Sequence, residues 1–96
     1  MAYVHIAAAR GMTIDNFRQV AEKLDPPANI AGLLVQAAGS DETGLHVVTV
    51  WETKAHLDRY EAEQLFPAFQ AVGVASEIMA NTTFTIFDAD ETYVGG

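Results

Sequence analysis

The feature that most constrains this chain is an apolar strand that runs directly into the start of a helix. The segment Val47-Val-Thr-Val-Trp51 is β-branched and aromatic, which is typical of strands, and Thr53 follows it where a helix N-cap is expected. An apolar strand from Tyr3 to Ala9 likewise precedes an N-cap residue, Thr13. The repetition predicts two strand-helix-strand halves.

The first half has clear boundaries. A single apolar stripe at helical spacing predicts the first helix, and its members are Ile14, Phe17, Val20, Ala21 and Leu24. Asp25-Pro26-Pro27 should end that helix, because the first proline disfavours helical geometry at Asp25 and neither proline can donate a backbone hydrogen bond. A second strand is predicted from Ile30 to Ala38.

The second half begins with a polar hairpin turn that has glycine at both ends, at positions 39–44. It leads into a third strand from Leu45 to Trp51. The second helix should run from Thr53 to about Val72, with Gly73 as its C-cap and a kink or break near Leu65-Phe66 caused by Pro67. A fourth strand is predicted from Ser76 to about Phe87, and positions 88–96 should form a tail or arm.

This order predicts an α+β, ferredoxin-like βαββαβ fold, in which a four-stranded antiparallel sheet carries both helices on one face. The strands, however, are apolar on both sides, as in Leu33-Leu34-Val35 and Val47 to Val50. An uncovered face of several hundred Å² would leave on the order of 10 kcal/mol of apolar surface in water. We therefore expect a second copy of the chain to cover it, forming a homodimer through the sheet faces.

Composition narrows the classes of partner. The 96 residues fit a single domain covering 1–96, and the net charge of -8 argues against nucleic acid and anionic membrane surfaces. The absence of cysteine excludes thiolate chemistry and disulfides. The sequence contains neither a basic leader nor a membrane-length apolar run, so a cytoplasmic protein is expected.

Several segments together resemble one superfamily, the dimeric α/β barrels, and within it the antibiotic-biosynthesis-monooxygenase-like branch. The resemblance covers Tyr3 to Phe87, and the segments that carry it are Val4-His-Ile, Val47-Val-Thr-Val-Trp-Glu-Thr, Leu57-x-x-Tyr60 and Leu65-Phe-Pro67. It implies a dimeric α/β barrel. The branch includes cofactor-independent oxygenases, haem-degrading enzymes, isomerases, polyketide cyclases and proteins without known activity, so the resemblance alone does not select a reaction.

The haem-degrading members provide a test within this resemblance. Their asparagine, aromatic and histidine positions fall on Ala7, Tyr60 and Phe69, so two of the three residues are replaced. Only 5 basic residues are present to meet haem propionates. We therefore expect no haem and no other cofactor.

His5 is the first catalytic candidate. Strand parity places it on the same face as Tyr3 and Ala7, and Ala7 corresponds to a pocket-facing position in the family. An imidazole between sheet and helices could act as a general base at neutral pH. The alternative is a half-buried histidine that is hydrogen-bonded to a neighbour.

Tyr60 is the second catalytic candidate, since the resemblance directs it into the same cavity, where its phenol could orient a substrate carbonyl; otherwise it is part of the core. Gln64 is polar on the stripe of Leu57 and Ala68, which suggests a pocket lining. Trp51 is expected to pack at the strand-to-helix corner, with binding of an aromatic substrate as the alternative. The predicted substrate-binding residues are Tyr3, Phe17, Trp51, Gln64 and Phe69.

Other chemistries lack support in the sequence. His5, His46 and His56 belong to three different elements without metal-ligand spacing, so no metal site is predicted. Glycine-rich phosphate loops and a serine nucleophile elbow are also missing. Two hypotheses remain: a cofactor-independent monooxygenase, cyclase or isomerase acting on an aromatic or polyketide-like molecule, and a non-catalytic dimeric ligand-binding or stress-related module.

Overall fold

The computed structural model describes residues 2–73 and 80–93. The strands are β1 (Tyr3–Arg10), β2 (Leu33–Ser40), β3 (Gly44–Trp51) and β4 (Thr82–Asp88). The helices are α1 (Ile14–Ala21), α2 (Lys54–Tyr60) and α3 (Phe66–Val72); a short 3₁₀ turn spans Pro27–Asn29 and a π-helical turn spans Glu61–Leu65. Because α2, the π-helical turn and α3 form one continuous helical run, the predicted order of four strands and two helices is confirmed.

The sheet is antiparallel throughout, with strand order β2-β3-β1-β4. Its register distributes the side chains into rows that cross the strands. On the face covered by the helices, three successive rows are Leu33, Trp51, Tyr3 and Asp88; then Gln36, Thr49, His5 and Ile86; then Ala38, Val47, Ala7 and Phe84. The predicted ferredoxin-like fold is therefore confirmed.

The predicted N-caps of both helices and the C-cap of the second are confirmed, whereas α1 ends at Ala21, before the predicted stop at Asp25. The Thr13 hydroxyl accepts a hydrogen bond from the Asn16 backbone N (3.3 Å), and the Asn16 side chain accepts one from the Thr13 backbone N (2.9 Å). The Thr53 hydroxyl accepts a hydrogen bond from the His56 backbone N in the same way (3.2 Å). Gly73 ends α3 in the left-handed conformation, with φ of 83°.

Two strand boundaries differ from the prediction. β2 begins at Leu33 rather than Ile30, because the 3₁₀ turn after Pro26 and a positive φ at Gly32 delay the extended segment. β4 begins at Thr82, and Ala80 and Asn81 before it are helical, while the predicted start at Ser76 lies outside the described residues. Among the residues described, no helix is long and apolar enough to cross a membrane.

The opposite face of the sheet carries apolar side chains that the helices do not cover. One row consists of Val35, Val50, Val4 and Phe87, and the next of Ala37, Val48, Ile6 and Thr85. Val35 is 38% exposed and Phe87 is 47% exposed. We call these two rows the outer face.

Candidate functional site

A small cavity of about 90 Å³ lies between the sheet and the helices. Its floor comes from the row that contains His5 and from the rows beyond it, where Ala7 and Ala9 on β1 leave space above the sheet. Its roof comes from both helical segments. The cavity is smaller than the roughly 150 Å³ space that accommodates benzene in a protein core, so any ligand it holds is small or displaces wall residues.

His5 is the most deeply buried polar side chain of this wall. It is 6% exposed, and its ring packs beside that of Phe84, with ring centroids 5.3 Å apart. Within residues 2–73 and 80–93 its imidazole has no hydrogen-bond partner. Burial lowers the pKa of His5 below its usual value of 6.5, so the ring is neutral at neutral pH.

The Thr49 hydroxyl, beside His5 in the same row, is not available to a ligand. The Trp51 indole N–H donates to the Thr49 hydroxyl (2.9 Å), and that hydroxyl also lies 3.5 Å from the carbonyl oxygen of His5. Both hydrogen-bonding functions of the Thr49 hydroxyl therefore have structural partners. His5 and Thr49 are held side by side by the backbone pairing of β1 and β3.

Trp51 and Tyr3 were expected to line the cavity, and the structure places both elsewhere. They face each other one row before His5, which is roughly 7 Å away along the strands. Trp51 is fully buried in a core cluster with Ile30, Leu57 and Tyr60, and Tyr3 packs against that cluster. Trp51 therefore packs at the corner between β3 and α2, which is the structural role that the sequence favoured.

Tyr60 lies in the cavity wall, as the resemblance implied. It is 9% exposed, its ring centroid is 5.0 Å from that of Trp51, and its hydroxyl has no hydrogen-bond partner among the described residues. Burial raises the pKa of Tyr60 to about 12. The phenol therefore remains protonated and can donate a hydrogen bond throughout the neutral range.

Gln64 was also expected in the wall, and the structure corrects this placement. Its amide oxygen accepts a hydrogen bond from the Asp25 backbone N (3.1 Å), so it ties the π-helical turn to the end of the α1 segment. A π-helix has more residues per turn than an α-helix, so the side chain that follows Tyr60 around the cavity is Leu65. Regular 3.6-residue spacing would have selected Gln64.

The remaining roof is apolar apart from Asn16. Phe17 and Val20 on α1, and Phe69 on α3, line the cavity together with Met12. Phe17 and Phe69 therefore lie where the sequence placed them. Met12 has a flexible thioether side chain that can move aside more easily than the aromatic rings.

Sequence reasoning missed four polar residues of the wall, Asn16, Gln36, Thr49 and Thr82. Asn16 and Thr49 are hydrogen-bonded within the structure. The Gln36 amide has no hydrogen-bond partner in the described part of the chain, and the Thr82 hydroxyl is buried without one. A signal for Gln36 was present, since it is a lone polar side chain within the apolar segment Leu33–Ala38. Thr82 gave no such signal, because threonine is common in strands.

The other two histidines do not line the cavity. The His46 ring is 3.1 Å from the Asp41 carboxylate in the β2–β3 hairpin, and the same carboxylate accepts hydrogen bonds from Thr43, which lower the pKa of Asp41. The His56 ring contacts Thr53 at the start of α2 (2.8 Å). Within the described ranges, no three histidine or acidic side chains come together as a metal site would require.

Comparison with solved structures identifies the fold. The Mycobacterium tuberculosis protein Rv0793 superimposes with a TM-score of 0.73 at 11% identity, over 98% of this chain and 100% of that one. A candidate antibiotic biosynthesis monooxygenase from Deinococcus radiodurans gives 0.65 at 16% identity over 100% of both chains. The chain has the antibiotic-biosynthesis-monooxygenase-like fold. SnoaB, a cofactor-independent oxygenase from Streptomyces nogalater, shares it with a TM-score of 0.56 at 17% identity, over 95% of this chain and 93% of SnoaB.

At these identities the likeness is one of fold. No protein-family model matches the sequence, and no curated protein matches it significantly. The antibiotic-biosynthesis-monooxygenase-like fold accounts for the sheet and helices around His5 and Tyr60. The chemistry of these two residues depends on their own surroundings.

Proposed function

We propose that this protein is a small cofactor-independent enzyme that acts on a small aromatic or enolisable molecule. The observation that carries the proposal is the neutral, buried His5 imidazole, which faces an apolar cavity without a hydrogen-bond partner among the described residues. A buried polar group without a partner is costly in a structural role. It is useful where a ligand supplies the missing partner.

His5 would act as the general base. Of the described residues that line the cavity, only His5 and Tyr60 can ionise, and the phenol stays protonated. A neutral imidazole can accept a proton from an acidic phenol or from the CH₂ group of an enolisable ketone. The imidazolium and the substrate anion then form as a pair, so neither charge is left alone in the apolar cavity.

Tyr60 would act on the same anion as a hydrogen-bond donor. Its hydroxyl lies in the cavity wall, and the raised pKa keeps its proton in place. Donation to the developing enolate oxygen stabilises negative charge where it forms. The division of roles is therefore a base on β1 and a donor on α2.

Two outcomes are chemically open to the anion. In an isomerase, the proton returns from His5 to a different carbon. In an oxygenase, the enolate carbon gives electrons to dioxygen; one oxygen atom remains on carbon as a carbonyl, and the other leaves as water with the two hydrogens of the CH₂ group. The likeness to SnoaB, a cofactor-independent oxygenase, supports the second outcome.

The decisive experiment measures turnover with and without the base. Oxygen uptake and isomerisation would be followed for a panel of phenols and cyclic enolisable ketones. We expect His5→Ala to lower the rate at least 100-fold while the fold is retained, because a positioned base contributes about 10²–10⁴-fold. His46→Ala is the matched control in the exposed hairpin. An unchanged rate in His5→Ala would remove the proposed base.

The second candidate function is a non-catalytic module. At about 90 Å³ the cavity is below the roughly 300 Å³ at which typical ligand pockets begin, which weighs against turnover of a large substrate. Saturable binding of an aromatic probe without turnover in any panel member would select this alternative.

Both functions are proposed for a homodimer in which the outer face packs against its copy. The support is the exposure of Val35 and Phe87 on a face whose other members, apart from Thr85, are also apolar. Burying such a face removes apolar surface from water in both protomers.

A further inference from the structure

The cavity is too small for an aromatic ring unless part of its wall moves. Its volume is about 90 Å³, whereas a space of roughly 150 Å³ accommodates benzene in a protein core. The substrates proposed above are at least as large as one ring. An enzyme that acts on them therefore needs a wall residue that can turn out of the way and return.

The floor and part of the roof are held in place by the rest of the fold. Ala7 and Val47 belong to β1 and β3, the two central strands, and each of these strands is hydrogen-bonded to a neighbour on both sides. Leu57 and Tyr60, on the roof, are members of the core cluster around Trp51. Moving any of these wall residues would disturb the sheet or the core.

Met12 has more freedom than these residues. It lies in the connection of residues 11–13 between β1 and α1, where it is partly exposed and also lines the cavity. Its side chain is unbranched and flexible. Beside it, a Cβ built on Gly11 would meet no heavy atom within 4 Å apart from its chain neighbours, so there is open space next to the connection. The thioether can therefore turn out of the cavity without displacing another element.

The backbone around Met12 is anchored on both sides. The Met12 backbone N donates to the Ala9 carbonyl oxygen (3.3 Å), and the Ile14 backbone N donates to the Ser40 hydroxyl (3.3 Å), which joins the start of α1 to the end of β2. Thr13, between them, is the N-cap of α1. A change of side-chain rotamer at Met12 is therefore sufficient to open the cavity, and the backbone does not have to move.

Phe84 is the most exposed of the described wall residues, with 39% of its surface in solvent. It is less suited to open the cavity, because its ring packs beside that of His5, with centroids 5.3 Å apart. Turning this ring out would remove the packing that positions the imidazole. Met12 has no such contact with His5 or Tyr60 among the ring contacts of the described residues.

We infer that Met12 is the gate of the cavity: its side chain must turn out before a ligand of one ring can enter, and it thereby determines the size of ligand that the site admits. This inference rests on the proposed function, because it concerns entry to the same site. The rotamer seen in the structure is the closed one, in which the thioether lines the cavity.

The test measures how fast a one-ring probe enters. Fluorobenzene has neither charge nor an oxygen function, so its entry depends on space, and fluorine NMR exchange measurements give both its affinity and its association rate. Wild-type protein should bind it slowly. We expect Met12→Ala to raise the association rate at least about tenfold, which corresponds to about 1.4 kcal/mol of the barrier to entry, because the thioether no longer covers the space.

Two further variants separate gating from cavity size. Leu65→Ala is the matched control, because leucine and methionine are similar in volume and Leu65 lines the same cavity from the π-helical turn. It should raise the affinity but leave the association rate within about twofold of wild type, with the gain in the dissociation rate. Met12→Ile keeps much of the volume but is stiff at χ1, so it should slow entry below the wild-type rate. Circular dichroism checks that each variant is folded.

Equal gains in association rate for Met12→Ala and Leu65→Ala would overturn the inference, since cavity size alone would then control entry. A gain in Phe84→Leu that Met12→Ala does not show would overturn it in favour of an entrance at β4. Absence of fluorobenzene binding in every variant would also overturn it.

The proposed catalytic function fails separately. If His5→Ala leaves turnover unchanged while the differences in association rate hold, the gate stands and the catalytic base does not. If His5→Ala abolishes turnover while fluorobenzene enters Met12→Ala no faster than wild type, the base stands and the gate does not.

Discussion

Gly32 lies directly against the imidazole ring of His56. A methyl group at Gly32 would overlap the Cβ and ring carbons of His56, and Gly32 also has a positive φ of 81°. The Gly32 carbonyl accepts a hydrogen bond from the Glu52 backbone N (2.8 Å). The contact between Gly32 and His56 joins the start of β2 to the start of α2.

Gly32→Ala should therefore destabilise the fold. The expected loss in the free energy of unfolding is about 1–3 kcal/mol, from backbone strain together with the displaced ring. Urea denaturation followed by circular dichroism measures it. Gly39→Ala is the control, because Gly39 has open space around it and its φ is not positive; similar losses in the two variants would contradict the role of the Gly32–His56 contact.

Gln64→Leu should cost about 1 kcal/mol of stability, because the Asp25 backbone N–H loses its acceptor. Since Gln64 lies outside the cavity wall, the rate of turnover with the panel of phenols and cyclic ketones should not change. Thermal unfolding and oxygen uptake test the two parts. The Gln70 side chain has no hydrogen bond to another residue in the described part of the chain, so Gln70→Leu should leave both unchanged; a large loss of turnover in Gln64→Leu would return that residue to the cavity.

Trp51→Phe should cost about 2 kcal/mol, through the space left in the core and the lost hydrogen bond to Thr49. Denaturant unfolding measured by circular dichroism gives the value. Tyr3→Phe keeps the ring and serves as the comparison, with a smaller expected effect. A loss below that of Tyr3→Phe would show that the indole is not a main support of the corner.

The stability of the protein should fall as the pH drops through the ordinary pKa of histidine. Because burial lowers the folded pKa of His5, the unfolded chain binds a proton more readily, and the resulting stability loss begins near pH 6.5 and ends below the folded pKa. Tyr60 titrates near 12 and Asp41 only in the acid range, so neither contributes in this window.

The measurement is the difference in the free energy of unfolding between about pH 7.5 and 5.5, for the wild-type protein and for His5→Phe. Phenylalanine can pack beside Phe84 without titrating. The variant should show the smaller pH dependence. An equal slope in both proteins would mean that His5 is protonated as readily in the folded state as in the unfolded chain.

Val48→Glu should dissociate the proposed homodimer, because it places a charge in the middle of the outer face. Sedimentation at micromolar concentration should give a dimer for the wild-type protein and a monomer for the variant. Ala62→Glu, on the exposed side of the helical run, should remain dimeric. A monomeric wild-type protein would exclude pairing through this face at that concentration.

Local signals in the sequence were sufficient for the order of elements. Thr13, Thr53 and Gly73 act through bonds to residues close to them in the chain, so their roles as caps could be predicted without a tertiary structure. Strand parity was likewise sufficient to place His5 on the face toward the helices.

The shape of the cavity wall depended on longer-range geometry. Tyr3 and His5 share a face, but only the pairing of β1 with β3 shows that Tyr3 belongs to the core row with Trp51. The position of Gln36 in the wall could not be predicted without the irregular register between Leu33 and Val35. That irregularity determines the face to which each later residue of β2 belongs. Gln64 was misplaced because regular helical spacing does not include a π-helical turn.

That turn separates Tyr60 from Phe69, and both contribute to the roof of the cavity. A π-helical turn accommodates one inserted residue, so winding Glu61–Leu65 as regular α-helix without changing the number of residues would rotate α3 by roughly 100° relative to α2. Phe69 would then leave the roof although its identity was unchanged. The contour of the binding space is therefore set by the local winding of the backbone as much as by side-chain chemistry, and the additional residue of the turn is accommodated without changing the direction of α3.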